Sequence, residues 1–200
     1  MVSKLICVLL IIILLYLIFN NIETMKMSEI DGEMYPVVDS FDNSDHAANI
    51  IANINANYVK LIKHMRNNCM DTIWAPNILY LCQNYDPTRL GEHIPLTTKN
   101  TSFVLNKGKK VRFCLRRIDD RNKFYDDNTI TFVALHELSH MMTHEFGHGQ
   151  KFWDCFTFIL GEAKKIKMIK IIDYKKNPQE YCGIVIDRNP AVDKITLKNY

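Results

Sequence analysis

No C-x-x-C pair occurs in this chain of 200 residues, although it holds six cysteines. A structural zinc site built from four cysteines is therefore not expected. Internal repeats and low-complexity tracts are absent too. A strong charge of one sign is also missing. The net charge of +3 and the pI near 8.4 are mildly basic and do not by themselves ask for nucleic acid as a partner. The exit of the N-terminal apolar run, Phe19-Asn20-Asn21-Ile22-Glu23, offers none of the small residues a cleaved signal peptide would show.

What is there begins with that run. Leu5 to Phe19 is unbroken apolar sequence, roughly 17–19 residues with its neighbours, close to the lower limit for a helix that crosses a bilayer. It reads as an uncleaved anchor over residues 1–22. Lys4 before the run, against a cancelling Glu23 and Lys26 after it, favours the N-terminus inside and the domain lumenal or exterior. The sequon Asn100-Thr101-Ser102 is compatible with that side. Residues 23–44 contain Glu23, Glu29, Asp31, Glu33, Asp39 and Asp42 and few large apolar residues. They read as an acidic, partly flexible stalk, or as a pro-segment over the site. Residues 45–200 then form one domain of ordinary size. Its five cysteines read as buried free thiols, with one or two disulfides only in an oxidising compartment.

Within that domain the expected fold class is α+β. Ala47, Ile51, Ile54, Tyr58, Leu61, Ile62 and Met65 recur at helical spacing behind a Ser44 cap and predict a core helix of about 20 residues. Asn77 to Cys82 fits a short helix or strand. Two β-prone runs around Asn106-Lys107-Gly108 predict a hairpin in a small antiparallel sheet, and Arg116 to Lys123 a charged loop. A helix from about Thr129 to Thr143, capped at Asp126, Asp127 or Asn128, is followed by glycines at 147 and 149. A second helix runs from about Gln150 to Lys167, and a last strand covers Tyr181 to Ile186. His46, His64 and His93 read as surface or satisfied histidines.

Chemistry concentrates on the first of those two late helices. Four of the seven histidines fall between 136 and 148. His136-Glu137-Leu138-Ser139-His140 is an H-E-x-x-H motif. Two histidines four apart lie about 40° apart around a helix and about 6 Å along it, so both can reach one metal ion. Glu137 then sits beside the metal, placed to take a proton from a metal-activated water. A catalytic zinc wants a third protein ligand. A straight helix would spread His136, His140 and His144 over about 12 Å, too far for bonds near 2.1 Å. His144 therefore serves only if the helix breaks before it. His148, beyond the Gly147 turn, is better placed; Glu145 or another acidic residue is the remaining option.

The stretch His136 to Trp153, HELSHMMTHEFGHGQKFW, resembles the H-E-L-x-H, spacer, H-x-x-x-F-W pattern of the minimal zincins, the WLM, SprT-like and YgjP-like metallopeptidases. The match is close over about 25 residues. Asp45 to Pro190 also resembles membrane-anchored metallopeptidases of large DNA viruses, through the N-K-G hairpin, the Phe113-to-Arg116 strand and Tyr181-Cys182-Gly183. The metzincin spacing does not fit, because Thr143 and Phe146 stand where that pattern wants glycine and histidine. The resemblance implies a zincin-like fold and a Zn2+-dependent endopeptidase acting on protein or peptide substrates. His136, His140 and His148 are its ligands and Glu137 its general base, with Tyr181, Arg112 and Tyr125 as candidates for the oxyanion partner. Two other readings are a non-catalytic zinc-binding assembly protein of a membrane or virion, and a protease acting on DNA-bound proteins. The apolar leader argues against the latter. Nothing in the residues sets an oligomeric state.

Overall fold

The computed structural model describes residues 6–12, 23–95 and 101–193. The chain enters through a hairpin of β1 (Glu23–Met27) and β2 (Met34–Val38), then a long helix, α1 (Ser44–Asn68). A shorter helix α2 (Ala75–Asn84) and a 3-10 turn (Pro87–Arg89) lead to β3 (Leu90–Glu92), β4 (Phe103–Leu105) and β5 (Lys110–Phe113). Two helices follow, α3 (Asp127–Met142) and α4 (Gln150–Lys165), and the hairpin of β6 (Gln179–Tyr181) and β7 (Ile184–Ile186) comes last. The α+β class is as the sequence implied.

α1 forms where the apolar spacing placed it. Ala47, Ile51, Tyr58, Leu61 and Met65 are buried along one stripe, each large side chain contributing about 1.5–3 kcal/mol by leaving water. That stripe meets α3, where the buried Tyr58 hydroxyl donates to the Ala134 carbonyl. α3 is capped by Asp126, whose carboxylate accepts from the Thr129 N–H at 3.0 Å and the Thr129 hydroxyl at 2.6 Å. At its other end the Asn77 amide of α2 donates to the Met142 carbonyl at 3.1 Å, satisfying one of the orphan acceptors of a helix terminus. α4 packs back along α3 through Phe152, Phe156, Ile159 and Leu160, all of them buried.

The sheet differs from the expected antiparallel one. Its strand order is β3-β5-β4, with β4 antiparallel and β3 parallel to β5. β3 is three residues long and had no alternating pattern to mark it. It exists because its partners hold it: Leu90 and Glu92 are fully buried.

Residues 23–44 are not a flexible stalk. They contain the β1–β2 hairpin, in which Tyr35, Val37 and Val38 join the core. Three of the acidic side chains, Glu23, Asp31 and Asp39, are structural partners. Glu23 accepts from both the Nε and Nη2 of Arg112 at 2.8 Å, and that guanidinium draws its carboxyl below the ordinary value against the upward push of burial. Lys26 pairs with Asp39 at 3.0 Å, and the Tyr35 hydroxyl donates to Asp31 at 2.6 Å.

The single-pass membrane anchor is corrected as well. Among the described residues no helix is long and apolar enough to cross a membrane. Residues 6–12 are helical; the rest of the Leu5-to-Phe19 run, and Asn100 of the sequon, lie outside the described residues.

Two further findings sit behind the sheet. Arg116, the first residue of the expected charged loop, is fully buried. Its Nε donates to Glu92 Oε1 at 2.7 Å and its Nη1 to the carbonyls of Asp42 and Arg121 at 2.6 and 3.0 Å. The other Glu92 oxygen accepts from the Val38 N–H at 2.8 Å. Cys114 and Cys182 are joined in a disulfide, with Cα atoms 6.5 Å apart. It ties the end of β5 to the β6–β7 turn. Cys69, Cys82 and Cys155 are free thiols.

Candidate metal centre and cleft

α3 ends at Met142, and Thr143 turns into extended backbone at φ −107° and ψ 142°. The helix thus breaks before His144. Gly147, at φ 75°, supplies the left-handed turn that glycine adopts at least cost. His148 emerges from that turn just ahead of α4.

The consequence is a convergence. His136, His140 and His148 each present a ring nitrogen, and these atoms all lie within 4.8 Å of one another. His136 Nε2 and His148 Nε2 are 3.0 Å apart. Two nitrogens bound tetrahedrally to one zinc at about 2.05 Å would stand about 3.3 Å apart, so the trio can hold a single metal ion. Phe152 forms a common floor. Its fully buried ring lies 4.3 Å from that of His140, nearly stacked, and 4.8 and 4.6 Å from those of His136 and His148. Burial, helped by the neighbouring imidazoles, pushes His136 far below the ordinary histidine value and His140 down to about 3; burial also lowers His148. All three are thus neutral near pH 7, the form in which imidazole offers a lone pair. His144 is elsewhere, its ring 3.6 Å from that of Tyr80.

The trio lies in a cleft of about 690 Å³ that Glu137 also lines. Burial pushes the Glu137 carboxyl up to about 8; a dication beside it would pull that value down again. One wall is Ser102, Phe103 and Val104 of the β4 segment, an edge strand of its sheet. Ile184 and Ile186 of β7 also line it, and Phe146 is 78% exposed.

Of the three oxyanion candidates only Tyr181 lines this cleft. Its hydroxyl donates to the Cys114 carbonyl at 2.7 Å and meets Ser102 Oγ at 2.6 Å, while Ser102 Oγ accepts from the Cys114 N–H at 2.9 Å. That circuit is closed, so the Tyr181 proton is already used. Arg112 is committed to Glu23, and the Tyr125 hydroxyl to Glu180 and the Cys182 N–H. The sequence reading missed the Phe152 floor and also Lys107, which lines the cleft and donates its ammonium to the carbonyls of His140, at 3.3 Å, and Glu145. The Asn106-Lys107-Gly108 turn was the available signal for Lys107.

Fold and site together define a class: a small α+β domain whose H-E-x-x-H helix and following turn gather three imidazoles beneath an open sheet edge. Residues 83–194 match the WLM domain. The chain belongs to that family. It is 32% identical over 163 residues to an uncharacterized protein of Acanthamoeba polyphaga mimivirus, covering 81% of each chain. Over 83 residues it is 35% identical to an uncharacterized protein of Invertebrate iridescent virus 6, covering 40% of this chain and 44% of that one. In fold it is similar to a mutant of Wss1 from Saccharomyces cerevisiae. The TM-score is 0.51 at 24% identity, over 66% of this chain and 88% of that one.

Proposed function

We propose that the chain is a zinc-dependent endopeptidase, with His136, His140 and His148 holding the zinc and Glu137 as general base. The observation that supports it most is the gathering of three imidazoles, two of them half-buried, and one buried carboxylate in a cleft walled by an edge strand. Three neutral nitrogen donors suit zinc and not the hard, oxygen-seeking calcium or magnesium ions. WLM membership supports the same reading. When bound, zinc supplies Lewis acidity, polarising the scissile carbonyl and lowering the pKa of a water towards about 7.

The chain's own residues do the rest. The open edge of β4 takes an extended substrate by strand addition, its backbone amides and carbonyls pairing with those of the peptide. Glu137 accepts the proton of the attacking water and returns it to the leaving amine. Phe152 and the packed α3–α4 pair keep the imidazoles in place.

The test is zinc stoichiometry by elemental analysis, together with cleavage of an unfolded protein such as casein, on the full chain beside Glu137→Gln. The variant keeps one zinc per chain and loses cleavage by about 10²–10⁴-fold. Cleavage that survives the substitution would remove Glu137 as the base. A wild type that binds zinc and cleaves nothing leaves the non-catalytic reading.

A further inference from the structure

The third imidazole of the trio sits on a loop; its ring rests on Phe152, 4.6 Å away, but the loop backbone before it has few ties. His136 and His140 are fixed by α3, whereas residues 144–148 are exposed. Glu145 makes a weak internal bond to Thr143 Oγ1 at 3.3 Å and an exposed ion pair with Lys151 at 3.6 Å, and His144 packs on Tyr80. None of these ties the loop to the sheet.

Lys107 does. It lies at the tip of the β4–β5 turn with φ 58°, beside Gly108. A Cβ on Gly108 would come within 2.6 Å of the Asn84 carbonyl oxygen and 3.1 Å of Met141 Sδ. The turn is therefore wedged between the end of α2 and the last turn of α3, and the base of the Lys107 side chain cannot drift. Its ammonium donates to the carbonyl of His140, at the negative end of the α3 dipole, and to the carbonyl of Glu145 in the loop. It also lies 4.6 Å from the centre of the Phe146 ring, a cation–π contact. One charged group thus joins the sheet, the end of the metal-site helix and the two residues before Gly147.

We propose that Lys107 is a positioning residue for the metal site, pinning the loop so that His148 stays against His136 and His140. The inference rests on the zinc-peptidase reading. It has an opposite expectation to defeat. A cation beside the site repels a dication, so its removal would tighten zinc if repulsion were all it did. Pinning predicts the reverse sign.

Zinc affinity of the full chain, measured by competition with a chromophoric chelator, separates the two. Lys107→Met keeps the length of the stem and removes the donors. Pinning predicts zinc binding weaker by about 10–100-fold, the range for lost outer-shell support. Lys107→Arg, which keeps the donors and the cation–π contact, recovers most of it. The decisive arm is the His148→Ala background. If Lys107 acts through His148, adding Lys107→Met there changes affinity by less than about twofold, because the coupled term is already gone. An unchanged or tighter zinc constant in Lys107→Met, or an equal loss with and without His148, overturns the proposal. Failure of the wild type to bind zinc would instead overturn the zinc-peptidase reading, and this inference with it.

Discussion

Replacing Arg116 by Met is the sharpest test of how this fold is held. Arg116 and Glu92 are both fully buried and make one charged contact of 2.7 Å. Removing the guanidinium leaves Glu92 in the interior with, among the described residues, only the Val38 N–H as donor, and strips a charged donor from the carbonyls of Asp42 and Arg121. Breaking a buried pair from one side costs about 3–5 kcal/mol. For a domain of this size each kcal/mol is worth about 2–4 °C, so Tm falls by roughly 6–20 °C. The loss depends on pH. Burial already pushes the Glu92 carboxyl up against the pull of Arg116, and without Arg116 it rises further. A carboxyl whose folded pKa exceeds its unfolded value of about 4.3 holds more protons folded than unfolded, so its contribution is lost as pH rises through the folded value. The gap between wild type and variant is therefore narrower at about pH 5 than at about pH 8. Replacing both residues, Arg116→Met with Glu92→Leu, recovers most of the stability, since no lone charge remains. Urea unfolding at the two pH values measures all three effects. A loss below about 1 kcal/mol, the level of an exposed pair, would refute the reasoning, as would a gap that ignores pH or a double variant no better than the single.

Deleting residues 1–39 removes Tyr35, Val37 and the Val38 donor to Glu92. It should yield a chain without a cooperative unfolding transition by circular dichroism, where a dispensable stalk would leave that transition in place. Replacing Cys114 and Cys182 together by Ala opens a loop of sequence separation 68. It should cost about 4 kcal/mol on the chain-entropy account, read as a lower urea midpoint; an unchanged midpoint under oxidising conditions would count against the bond.

Legibility in the sequence followed how local each cause is. α1 was readable from its apolar spacing, although the expected Ser44 cap does not form: Ser44 is the first helical residue and Asn43 before it makes no side-chain cap bond. α3 was readable from its Asp126 cap, and its end from the glycines at 147 and 149 that follow it. The separation of His144 from His148 came from helix length alone. What stayed hidden depends on distant partners. β3 is strand only because β5 lies beside it. The β1–β2 hairpin was masked by its carboxylates, which looked solvated and are paired with Arg112 and Lys26. Arg116 sat in a run of charges that otherwise reads as surface. Phe152 was visible as an apolar helix position, but its place beneath three imidazoles needs α4 folded onto α3.

The Cys114–Cys182 bond has a consequence for the fate of the molecule after damage. Residues 136–148 lie between those two cysteines in the chain. The two helices and the three histidines of the site thus belong to a covalent ring, while β4 and β7 lie outside it. A single backbone cut inside that ring, by another protease or by a second copy of this one, produces no separate fragments. The nicked molecule migrates as one species until a reductant is added and then falls into two. Its three imidazoles stay tethered at both ends in the meantime. Self-cleavage inside that ring would release no fragment on a non-reducing gel.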